Sequence, residues 1–70
     1  MATFSLGKHP HVELCDLLKL EGWSESGAQA KNFIADGLVS VDGVVETRKR
    51  CKVAAGQTVT FDGQSITVTD

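Results

Sequence analysis

The chain is poor in every feature that marks an enzyme, a secreted protein or a membrane protein. Its two cysteines, Cys15 and Cys51, stand far apart and outside any C-x-x-C pair. That pattern excludes a zinc or thioredoxin-like redox motif and is too sparse for a disulfide framework. A buried thiol at Cys15 and a half-buried one at Cys51 are expected instead. No apolar run approaches the roughly 20 residues needed to cross a bilayer. No basic start leads into an apolar stretch, so a secretory signal is not expected, and Ala2 stands where N-myristoylation needs glycine. A cytoplasmic protein is the expectation. Also missing are a nucleophile–base–orienter set, a glycine-rich phosphate loop and paired carboxylates on a recognisable scaffold. A chain of 70 residues makes one domain and buries only about 60% of its unfolded surface. Little volume is left for a closed catalytic cavity, so no catalytic residue, metal or cofactor is expected.

What is present is ordinary globular composition, 41% hydrophobic and 23% charged, with a net charge of −2. The overall sign argues against a polyanionic partner, but the distribution argues for one. Arg48, Lys49, Arg50 and Lys52 hold four of the seven basic residues within five positions, with no acid among them. The rest of the chain sets three bases against nine acids. Local potential governs binding and total charge governs solubility, so the molecule is expected to carry one basic edge on an acidic body.

Along the chain, Phe4 and Leu6 would share a face of a short edge strand. Gly7-Lys8-His9-Pro10 predicts the start of a helix, with Pro10 at the first helical position and His9 capping. Leu14, Leu17 and Leu18, with Cys15 or Val12, recur at helical spacing, and Gly22 suits the left-handed C-terminal stop. Trp23 is expected to pack over that helix end. Ser26-Gly27-Ala28-Gln29 predicts a capping box opening a second helix from about Gly27 to Ala35, burying Ala30, Phe33 and Ile34. From there the period changes to 2. Leu38, Val39 and Val41 lead through Asp42-Gly43, a strong hairpin signal, into Val44-Val45. The stretch from Thr47 to Lys52 predicts a loop, and Ala54-Ala55-Gly56-Gln57 a turn. Val59 and Phe61, then Ile66 and Val68, flank Asp62-Gly63 as a second hairpin. Two short helices followed by a small, mostly antiparallel sheet make an α+β fold.

In this order the residues resemble the S4 RNA-binding domain family. Leu14, Leu17 and Leu18 match its first-helix positions; Ser26, Gln29, Ala30, Lys31 and Ile34 match its second helix. Gly37, Val39, Val41 and Gly43 match its strand and hairpin; Val53, Gly56 and Val59 match its final strand. The match runs from about Glu13 to Val59 and is similar to small stand-alone bacterial S4 proteins. The resemblance implies the S4-like αL motif and RNA binding. The sequence departs from the family pattern at Glu13 and Gly27, where the family favours arginine, at Cys15, where it favours aspartate, at Asp42, and at Lys49-Arg50, where it favours Pro-Ser. Two basic contacts are thus lost on the helices and gained in the loop.

A charge run is commonly no more than a solvated loop, but the clustering of Arg48, Lys49, Arg50 and Lys52, and the match to the family's RNA-facing loop, favour contact with phosphate. Guanidinium forks would grip it bidentately while lysines act as point charges; Arg48 and Arg50 would share one side if the segment is extended. Ser26 and Gln29 certainly cap a helix; its N-terminus, with Lys31, also offers free N–H groups to a phosphate, and Gly27 would let a backbone approach closely. Lys8 is the last candidate. His9 and His11 form an H-x-H pair without a third ligand at suitable spacing, and Trp23 and Phe61 are expected in the core rather than stacked on bases. The implied partner is structured RNA, with ribosomal RNA a candidate, bound by a monomer. The alternative is a docking module for an acidic protein partner, for example in a ribosome-associated assembly.

Overall fold

The computed structural model describes residues 2–70. Among the described residues, two short helices, α1 (Leu14–Leu20) and α2 (Gly27–Ala35), are flanked by seven strands: β1 (Ala2–Ser5), β2 (Val12–Glu13), β3 (Val39–Val41), β4 (Val44–Val45), β5 (Lys52–Val53), β6 (Thr58–Phe61) and β7 (Gln64–Thr69). Five of them form one sheet in the order β1-β7-β6-β3-β4, and β2 pairs with β5 in a separate antiparallel ribbon. All pairings are antiparallel except β1 with β7. The expected α+β class is the one adopted.

Both helices end by the same device. Gly22 and Gly37 take left-handed φ values of 76° and 78°. Beyond α1, Trp23 N–H donates to Leu18 O and Gly22 N–H to Lys19 O; beyond α2, Leu38 N–H donates to Phe33 O and Gly37 N–H to Ile34 O. These are Schellman closures, which satisfy carbonyls the helix leaves open. Both hairpins turn at Asp-Gly, with positive φ at both residues of each pair, the type I′ geometry that matches strand twist.

Alternation does the rest. Val59 stands opposite Ile66 and Val41 opposite Val59, and all three are buried. On the other face, hydroxyls pair across β6 and β7, Thr58 with Thr67 at 3.2 Å and Thr60 with Ser65 at 3.1 Å. One core joins Leu14, Cys15, Leu17 and Leu18 of α1 with Ala30 and Ile34 of α2 and the inward residues of the sheet. Phe61 stacks on Phe33 at 5.0 Å and on Trp23 at 6.0 Å between ring centroids. These aromatics therefore close the end of the core, as expected, and are spent on one another.

The first helix differs from its sequence reading. It starts at Leu14, four residues after Pro10, because Val12 and Glu13 are extended and paired with Val53 and Lys52. Ladder hydrogen bonds claim the backbone that the proline would have opened into a helix. Glu13, not His9, is the N-cap, and its side chain makes no capping bond; the His9 N–H donates instead to Leu6 O at 3.2 Å. The expected loop likewise ends one residue early, with Lys52 already in β5.

Candidate nucleic-acid interface

The basic segment is a tight turn hung between two fixed points. At one end Glu46 N–H donates to Val39 O at 3.0 Å, continuing the β3–β4 hairpin. At the other, β5 pairs with β2, and Leu14 N–H donates to Cys51 O at 2.8 Å. Between them Cys51 N–H donates to Arg48 O at 3.2 Å, folding residues 48–51 back on themselves. Arg48 and Arg50 are therefore not arranged along an extended strand as the spacing suggested. Both nevertheless line one open depression of about 430 Å³, together with Cys51 and Lys52.

The arginines have acidic companions that the local sequence hides. Glu46 accepts from Arg48 three times at 3.0 Å: from the backbone N–H and Nε at Oε1, and from Nη2 at Oε2. Those bonds, the side-chain pair first, hold the Glu46 carboxyl at about 2, below its usual 4.5, and raise Arg48 in turn. Arg50 Nε lies 3.7 Å from Glu13 Oε2, a looser contact across the ribbon. Both guanidinium side chains remain more than three-quarters exposed, at 78% and 76%. Lys49 and Lys52 are exposed and make no ion pair among the described residues. Four cations and two carboxylates leave the segment positive. Beneath it, desolvation and then Glu46 raise the Cys51 thiol above its ordinary value.

The second candidate lies elsewhere. Ser26 Oγ accepts from Gln29 N–H at 3.1 Å, while Gln29 Oε1 accepts from Glu25 N–H at 2.6 Å. The reach-back thus lands one residue before the cap, not on it. A Cβ at Gly27 would meet open space, and Lys31 is half-buried along α2. No hydrogen bond or ion pair among the described residues joins this helix start to residues 48–52. The helix start actually tied to the basic segment is that of α1, through Leu14 and Glu13. Lys8 is exposed in the turn after β1. His9 and His11 belong to no group of three metal-ligating side chains among the described residues. The sequence reading missed Glu46 and Glu13 as partners and the β2–β5 ribbon as a tether. Glu46, two residues before Arg48, was a faint signal; Glu13, 37 positions from Arg50, left none.

The profile of the S4 domain family matches residues 4–69, nearly the whole chain. The chain belongs to the S4 domain family. This S4 domain is 81% identical to YbcJ of Escherichia coli K12, named a candidate RNA-binding protein, over 68 residues and 97% of both chains. The same figures hold for the uncharacterized protein YbcJ of Shigella flexneri. The solution structure of E. coli YbcJ, described as revealing an αL motif involved in RNA binding, matches with a TM-score of 0.77 and 78% identity, covering 100% of this chain and 89% of that one. The 30S ribosomal protein S4e of Thermoplasma acidophilum matches with a TM-score of 0.62 and 29% identity, over 83% of this chain and 31% of that one. The S4 positions read from the sequence have physical roles here: Leu14, Leu17, Leu18, Ile34, Val39, Val53 and Val59 are fully buried.

Proposed function

We propose that this S4 domain is a non-catalytic module that binds structured RNA through phosphate and shape contacts rather than base sequence. Arg48, Lys49, Arg50 and Lys52 make the principal contacts around the open depression. Lys31, Ser26 and Gly27 at the α2 start and Lys8 in the turn after β1 make secondary contacts. One observation carries this reading: four largely exposed cations crowd a single five-residue segment of an otherwise acidic chain, and the two lysines stand outside any ion pair among the described residues. The RNA-binding motif described for YbcJ supports the partner class, and the ribosomal origin of S4e supports ribosomal RNA within it. A monomer acting in the cytoplasm fits that partner.

Replacing Arg48, Lys49, Arg50 and Lys52 together by glutamine tests the site. Binding to a labelled RNA hairpin should be lost while the far-UV circular dichroism spectrum stays as it was and the melting curve falls only by the lost Glu46–Arg48 contact. Unchanged affinity in the folded variant refutes the site. A complex with an acidic protein that survives ribonuclease and needs the same four cations would replace RNA with protein docking.

A further inference from the structure

Arg48 is held differently from its three basic neighbours. Glu46 accepts from its backbone N–H, its Nε and its Nη2, all at 3.0 Å, so one carboxylate fixes both the turn and the inner edge of the guanidinium. Glu46 is itself anchored, with its N–H on Val39 O and its side chain only 18% exposed. A guanidinium has five N–H donors. Glu46 takes the Nε donor and one on Nη2, the Cys51 thiol is a further side-chain neighbour, and the guanidinium, 78% exposed, lines the open depression. A fork whose inner edge is already engaged presents its outer edge in a set direction, which favours bidentate contact with a phosphate. Arg50 meets Glu13 through one contact at 3.7 Å and gains no such direction.

We propose that Glu46 is a positioning residue for RNA binding: it places one negative charge beside the basic turn in order to aim the outer edge of Arg48 at a single phosphodiester seated in the depression lined by Arg48, Arg50, Cys51 and Lys52. This inference rests on the RNA-binding reading above. It runs against simple electrostatics. A carboxylate within a Debye length of a polyanion weakens attraction, so removing it should tighten binding if charge alone counts. If aim counts more, removal should loosen binding. The two effects have opposite signs, and Glu13, a carboxylate beside the same surface without the two-point grip, serves as the internal comparison.

The experiment measures binding of a fluorescein-labelled RNA hairpin by anisotropy, for the wild-type chain and for E46Q, E13Q, R48Q and E46Q/R48Q. E46Q should weaken binding at least about threefold despite its added positive charge, whereas E13Q should bind as tightly as wild type or tighter. In the R48Q background the penalty should vanish, and E46Q should then tighten binding. An E46Q protein that binds as well as wild type overturns the inference. If E46Q alters the melting temperature, R48K decides, since it keeps the charge but loses the two-point grip. It should lose a similar factor, and wild-type affinity in R48K would be equally fatal. A wild-type chain that ignores the hairpin sinks the RNA-binding reading as well; binding that is intact and indifferent to Glu46 sinks only this one.

Discussion

The backbone N–H of Leu14 donates to the carbonyl of Cys51 at 2.8 Å, fastening the first residue of α1 to the basic segment. Leu14 is also fully buried, so one residue carries both a core contact and the tether of the basic turn. Local order at residues 48–52 therefore depends on the stability of the whole domain, because the ribbon behind them is only two residue pairs long.

Leu14→Ala should cost about 2–5 kcal/mol. A chain of 70 residues has a total stability of only about 4–10 kcal/mol, so the variant should lose a large share of that margin. Urea denaturation should show a large drop in midpoint. An unchanged midpoint would mean that Leu14 is not the core residue described.

Gly37→Ala tests the closure of α2. A Cβ there would sit 3.6 Å from Val45 Cγ1, an ordinary contact, so the cost comes from the left-handed backbone and should be about 1–2 kcal/mol. Thermal melting should register it with little change in helical circular dichroism.

Glu46 should titrate near 2 in the folded chain, against its usual 4.5. Because the folded value is the lower one, its contribution to stability is fully present above the unfolded value and is lost as pH falls from about 4.5 toward 2. Carbon-detected NMR of the carboxyl group should find this, and Arg48→Gln should return the group toward its ordinary range. A normal value in wild type would mean that the Arg48 grip does not persist in solution.

RNA affinity should fall steeply with salt. If about four phosphates on single strands are neutralised, the log–log slope should lie near −3, and Lys49→Gln or Lys52→Gln should each flatten it by about 0.7. A slope near zero would leave no role for these cations.

The two thiols should react in a fixed order. Cys15 is buried, and Cys51 is half-buried with its thiol pushed up by desolvation and by Glu46. The thiolate is the nucleophile, so iodoacetamide near neutral pH should modify Cys51 more slowly than free cysteine and leave Cys15 untouched. Mass spectrometry of the native protein would show it.

Residue order alone determined both helix cores, both Schellman stops, both Asp-Gly hairpins and the S4 family, because each is a short-range pattern. Periodic leucines, a glycine after the last turn and a paired turn dipeptide act within a few positions of one another. The start of α1 escaped that reading because Pro10 is a local signal, whereas the extended state of Val12 and Glu13 depends on Val53 and Lys52, some forty positions downstream.

The basic turn shows the same division. Its clustered cations were determined by sequence, since charge is a property of the residues themselves. Which cations are engaged, and by what, was decided only by the tertiary structure. Folding carries Glu13 to Arg50 across the ribbon and turns Glu46 onto Arg48. Coulombic and hydrogen-bonding partners are chosen by distance in space, and distance along the chain does not report it.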